Sequence, residues 1–124
     1  MTDQTFYIRH LNDMTRTQPE VVNATWVTTQ GVLRLLVGDN DRDNAVLPTP
    51  ARVAALRAAI ATFSNWSEDN DPYGEHDFGA FDLFDHRLFF KIDYFHPDHD
   101  TRAPVSSSIE LCRRVLTVML AEEY

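Results

Sequence analysis

Phe78-Gly79-Ala80-Phe81-Asp82-Leu83-Phe84-Asp85-His86-Arg87-Leu88-Phe89-Phe90-Lys91-Ile92-Asp93-Tyr94-Phe95 is the stretch on which the fold turns. Its first part alternates, with Gly79, Phe81 and Leu83 on one side and Ala80 and Asp82 on the other. Its second part alternates again, with Leu88, Phe90, Ile92 and Tyr94 opposed to Arg87, Lys91 and Asp93. A period of two puts successive side chains on opposite faces of a strand, so each run has one buried and one wetter face. Asp85-His86 stands between the runs as a tight turn, which predicts an antiparallel hairpin over 78–95. Phe89 and Phe95 fall on the nominally wet face. They are read either as covered by a helix or as an apolar patch for a partner.

Working outward, the pattern changes to a helical one. Thr49-Pro50 is an N-cap with proline at the first helical position, and Val53, Leu56, Ile60 and Phe63 line one side of the helix that follows. Trp66 is expected to fold back onto the core. Near the N-terminus, Asp3 caps a helix in which Tyr7, Ile8, Leu11 and Met14 recur at helical spacing. Residues 24–29 are β-branched and aromatic and predict a strand, whereas 32–37 fit a strand or a helical turn. At the C-terminal end, Ser107-Ser108-Ile109-Glu110 matches a capping box, and the almost continuously apolar run to Ala121 predicts a buried helix. The expected fold class is α+β: a small antiparallel sheet centred on the 78–95 hairpin, packed by two or three helices.

With 124 residues, 44% of them apolar, the chain has material for one core and reads as a single domain over 1–124. No apolar run approaches the ~20 residues of a membrane span, and the first residues lack a signal-peptide pattern. The single cysteine, Cys112, reads as a buried inert thiol. A reducing, cytoplasmic setting is therefore expected.

Charge is the feature with functional content. The net charge is −8, and between Arg57 and Arg87 there is no Lys or Arg, while Glu68, Asp69, Asp71, Glu75, Asp77, Asp82 and Asp85 all lie there. Such a field repels phosphates, so direct nucleic-acid binding is not expected. A protein partner with a basic surface fits it, and the seven carboxylates form the candidate binding surface. Charge reversal at Glu68, Asp69 and Asp71 is expected to leave the fold intact, since these residues fall in a loop.

Metal chemistry is the competing reading. Asp69, Asp71 and Gly74 have the opening spacing of a calcium loop, but Tyr73 takes its fifth position and Ala80 the twelfth, where a bidentate Glu belongs. His96 and His99, flanked by Asp98 and Asp100, could contribute to a zinc or manganese site if His76 and Asp77 met them in space. A hydrolase or nuclease would then use Asp69, Asp71, His76 and Asp77 with His96 or His99. The bland alternative is a loop whose Asp and Asn side chains bond nearby backbone N–H groups, with Pro72 and Gly74 setting turns and His76 bonded locally. No catalytic motif names a reaction, so a non-enzymatic role without cofactor or catalytic residues is expected ahead of an enzymatic one. A structural homodimer stays open.

Two stretches, Glu68-Asp69-Asn70-Asp71-Pro72-Tyr73-Gly74-Glu75-His76-Asp77-Phe78-Gly79-Ala80-Phe81 and Arg87-Leu88-Phe89-Phe90-Lys91-Ile92-Asp93-Tyr94, with 114–124 at the C-terminus, resemble a small bacterial domain-of-unknown-function family. Leu11, Asn12 and Asp13 extend the resemblance loosely into the first helix. Members are often carried on plasmids and other mobile elements beside anti-restriction-type genes. The resemblance implies a mobile-element setting, with no activity attached. Together with the acidity, it leads to the expectation of an anti-defence inhibitor, of anti-CRISPR or anti-restriction type, that occupies a phosphate-binding groove of a host complex as a DNA mimic.

Overall fold

The computed structural model describes residues 3–38, 47–98, 110 and 112–124. The chain is α+β, with three helices and a four-stranded sheet among the described residues. Helix α1 spans Asp3–Thr17, followed by a 3-10 turn over Pro19–Val22 and strand β1, Thr25–Thr28. Then come α2, Gln30–Val37, and α3, Pro50–Ala61. Strands β2 (Phe78–Leu83), β3 (His86–Phe95) and β4 (Arg113–Leu120) follow, and a 3-10 turn over Ala121–Glu123 ends the elements. Among the described residues, no helix is long and apolar enough to cross a membrane.

The hairpin forms as its alternation requires. β2 and β3 pair antiparallel with Phe78 opposite Lys91 and Leu83 opposite His86. The turn is Phe84-Asp85, one residue earlier than the sequence suggests, with φ of 53° and 63° at its two residues. Two successive positive φ values match the right-handed strand twist that a two-residue hairpin needs. The guanidinium of Arg52 lies 4.8 Å over the Phe84 ring.

The C-terminal run is where sequence and structure differ most. The helix expected up to Ala121 is a strand: β4 pairs antiparallel with β3 (Phe90 opposite Val118, Ile92 opposite Leu116) and parallel with β1 (Trp26 opposite Leu116). Sheet order is β1-β4-β3-β2, so the sheet is mixed and β4 is an inner strand. An inner strand buries much of both faces, which produces a nearly continuous apolar run resembling a buried helix. The capping residues 107–109 lie outside the described residues. Residues 32–37 resolve as helix: Val32 and Leu36, four apart, enter the core together. Thr49 precedes α3 but makes no side-chain cap; its hydroxyl donates to the Leu36 carbonyl at 3.4 Å.

One face of the sheet carries the core. Leu88, Phe90, Ile92, Leu116 and Val118 pack against Val32 and Leu36 of α2 and Leu56 and Ile60 of α3, with Phe63 and Trp66 beside them. Gly79 permits this packing, because a Cβ there would run into the Phe90 ring and lie 2.7 Å from Phe63 Cε1. On the opposite face Phe78, Phe89 and Tyr124 form an aromatic cluster, with centroids 5.1–6.0 Å apart. Phe89 is therefore half-buried, and Phe95, also half-buried, lies 5.4 Å under the Arg113 guanidinium.

Candidate functional site

The 67–77 loop is built by short-range bonding. Ser67 and Asn70 satisfy each other's backbone N–H groups, at 3.0 and 3.3 Å, and the Asn70 amide also donates to the Asn65 carbonyl at 3.0 Å. The Asp71 carboxylate accepts from the His76 N–H at 3.0 Å, closing a six-residue turn in which Gly74 (φ 69°) and His76 (φ 58°) are left-handed. This is the way Asp and Asn organise loops, through side chains that stand in for backbone partners.

Helix α1 then clamps the loop. Arg9, Asn12, Asp13 and Arg16 follow at i, i+3, i+4 and i+7 and so share one helix face. Arg9 Nε donates to the Gly74 carbonyl at 2.7 Å, and Asn12 Nδ2 donates to the Glu75 carbonyl at 2.9 Å. Asp13 accepts from Arg16 at 2.7 Å and meets His76 Nδ1 at 2.8 Å. The His76 ring stacks on Trp66, 3.9 Å apart and within 5° of parallel, and the Arg16 guanidinium lies 5.0 Å over the same Trp66 ring. Arg16 also donates to the Ile60 carbonyl at the end of α3, at 2.9 Å.

Beneath the clamp lies a buried polar centre. Asn12 is 0% exposed; it receives a bond from Arg114 Nε at 2.7 Å and donates to Tyr94 Oη at 2.8 Å. Arg114 is 2% exposed, lies 5.0 Å over the Tyr94 ring and donates to Cys112 Sγ at 3.5 Å. Burial lowers the pKa of Arg114 and raises those of Cys112 and Tyr94. The thiol and phenol thus stay neutral at physiological pH, and Cys112 has neither the exposure nor the acidity of a reactive nucleophile.

A cleft of about 570 Å³ opens beside this assembly, lined by Asp69, Asn70, Asp77, Lys91, Asp93 and Tyr124 among others. Three carboxylates face a single ammonium, and Lys91 is paired with Asp93 at 3.3 Å. Burial raises the pKa of Asp77, and the nearby Asp71 and Asp93 charges add to the rise. Burial raises that of Glu75 too, with Asp77 and Asp71 contributing. These carboxylates crowd one another, and their ionised forms are costly without a cation nearby.

The seven carboxylates singled out from the sequence thus divide into groups. Glu68 and Asp69 are exposed on the loop, and Glu75 and Asp77 are half-buried. Asp71 is buried and bonded within the loop, so charge reversal there would break the turn; the expectation that this residue tolerates reversal is corrected. Asp82 is paired with Arg87 at 2.9 Å, and Asp85 sits in the hairpin turn, at the end of β2 remote from the loop. Five steps along a strand at ~3.3 Å each separate Phe78 from Leu83 by roughly 17 Å. The metal alternative needs Asp69, Asp71, His76 and Asp77 to converge. Instead Asp71 and His76 turn toward each other and α1, while Asp69 and Asp77 line the cleft. Among the described residues, no group of three or more His, Cys, Asp or Glu side chains is placed to hold a metal ion. His99 and Asp100 lie outside the described residues.

Asn12, Asp13, Arg16, Tyr94 and Arg114 were not singled out as site residues from sequence. The available signal was in α1, where Asn12, Thr15 and Arg16 continue the buried stripe begun by Ile8 and Leu11. Tyr7, assigned to that stripe by spacing, is exposed.

No curated protein and no solved structure matches the chain. A family model does match, over residues 28–123, and its description is "protein of unknown function (DUF3768)". The span includes the acidic loop, every cleft residue but Tyr124, and Tyr94 and Arg114, and the chain belongs to the DUF3768 family.

Proposed function

We propose that this protein is a binding module that takes a cationic protein segment into the cleft between the 67–77 loop and β3. The observation that carries the reading is the state of Asp77: a half-buried carboxyl in the cleft, raised in pKa by burial and by Asp71 and Asp93. An arginine or lysine entering there removes that repulsion, so the site gains on binding what it lacks when free. The loop is held by the bonds of α1 and its own Asp71–His76 turn, which keeps Asp69 and Asp77 in place before a partner arrives. For the identity of the partner, our reading is a nucleic-acid-binding host protein whose basic groove meets carboxylates in place of phosphates. That corresponds to an anti-defence role on a mobile element.

The test is fluorescence anisotropy with a labelled oligo-arginine peptide at low and high salt. Changing Asp69→Lys together with Asp77→Asn removes about two favourable charge contacts. At ~1 kcal/mol each, this should weaken binding by about tenfold or more. Glu20→Lys, in the 3-10 turn before β1 at the opposite edge of the sheet, should change it less than about twofold. Equal losses from both variants would mean that the peptide reads net charge alone, and the cleft would not be the site.

A further inference from the structure

Among the described residues, the hairpin leaves one edge of the sheet without a partner, and the pairing pattern shows which groups it presents. The Ile92 N–H donates to the Asp77 carbonyl at 2.8 Å, and Asp77 is opposite Ile92 in the register that continues Phe78 opposite Lys91. Hydrogen-bonded and non-hydrogen-bonded pairs alternate along an antiparallel ladder. Asp77, Gly79, Phe81 and Leu83 therefore bond to β3, and the N–H and C=O groups of Phe78, Ala80 and Asp82 point away from it. β2 is the end strand in the order β1-β4-β3-β2, and among the described residues no backbone or side chain bonds to these outward groups. An unpaired edge of this kind is a template for another strand.

We infer that the outer edge of β2 accepts an extended, cationic segment of a partner protein as a fifth strand. The inference rests on the cationic-partner reading above and gives that partner a conformation. Charge decides against a second copy of this chain. The molecule carries −8, and the edge runs between Asp69 and Asp77 at one end and Asp82 and Asp85 at the other. Two copies edge to edge would bring like charges together, whereas an incoming strand with Lys or Arg on alternate residues would meet carboxylates at both ends. The other face of that strand would lie beside Phe81 and Leu83, which are only partly buried against the core. The fitting segment therefore alternates basic and apolar residues.

The probe is an alternating Lys-Val octapeptide, compared with a Lys-Gly peptide of equal charge and with Lys-Val peptides N-methylated on either the lysine or the valine nitrogens. The expected result is that Lys-Val binds at least about tenfold more tightly than Lys-Gly. One N-methylated peptide should lose that advantage while the other keeps it, because a strand pairs through one edge only. Amide exchange at Phe78, Ala80 and Asp82 should slow by about tenfold or more on binding. Ala80→Pro, which removes an outward N–H without touching the β3 ladder, should abolish the difference between Lys-Val and Lys-Gly. The methylated peptides give the same answer if that variant fails to fold. Equal binding of Lys-Val and Lys-Gly, without protection at these amides, would overturn edge pairing and leave the cationic-partner reading standing. Failure of every peptide to bind folded protein would overturn both. Protection of the edge in the free protein, with a dimer in sedimentation, would assign the edge to a second copy and overturn the inference.

Discussion

Arg114 Nε donates to Asn12 Oδ1 at 2.7 Å, joining β4 to α1 across 102 positions of sequence in a fully buried contact. Asn12 also reaches the Glu75 carbonyl and Tyr94 Oη, so one amide ties the first helix, the acidic loop and two inner strands together. Replacing Asn12 with Leu removes the oxygen that accepts from Arg114 Nε and puts an apolar group beside that buried charge. We expect a loss of about 3–5 kcal/mol in denaturant titration, the range for breaking a buried charged contact from one side. The double variant Asn12→Leu/Arg114→Met should be less destabilised than the sum of its parts, since it removes both members of the pair. An additive double variant would show that the contact contributes little.

Gly79 should not tolerate a side chain. Alanine there must displace the Phe90 and Phe63 rings, which sit in the core beside Trp66. Overpacking of this kind costs about 1–3 kcal/mol. The check is the melting temperature of Gly79→Ala, and an unchanged value would mean that the rings yield freely.

Leu116 and Thr117 test β4 as a strand. Leu116 is 0% exposed on the core face, whereas Thr117 is half-buried on the other. Leu116→Ala should cost about 2–5 kcal/mol. Thr117→Ala should cost less than about 1 kcal/mol. Similar costs for the two would contradict the alternation.

Stability should fall as pH rises from acid toward neutral, and Asp77 should account for part of the fall. Its folded-state pKa lies above the unfolded value because of burial and the Asp71 and Asp93 charges. Between the two values the folded chain holds more protons than the unfolded one, so stability declines across that window and the full penalty remains above it. Asp77→Asn should therefore raise the melting temperature at neutral pH and flatten the acid-side slope, while weakening cation binding. A variant less stable at neutral pH would reverse this assignment.

Much of this was legible in the residues, and the failures have physical causes. The hairpin was readable because Leu88, Phe90 and Ile92 alternate with Arg87, Lys91 and Asp93, Phe89 excepted, and α3 because Leu56 and Ile60 recur at four. β4 was not, because Val115 to Leu120 is apolar at nearly every position and a capping-box pattern stood ahead of it. The β-branched Val115, Thr117 and Val118 were the opposing signal. The internal bonding of the acidic loop could be read from Asp71, Pro72 and Gly74. Its clamp could not, since Asp13 meets His76 across 63 positions and only the tertiary fold brings them together.

The central claim, that the cleft beside the 67–77 loop receives a cationic segment, is tested most directly by mapping amide chemical shifts during titration with oligo-arginine. We expect the largest perturbations at Asp69, Asn70, Asp77, Lys91 and Asp93, saturating together and fading with added salt. Perturbations centred on Asp82 and Asp85, or spread evenly over the exposed carboxylates, would contradict it.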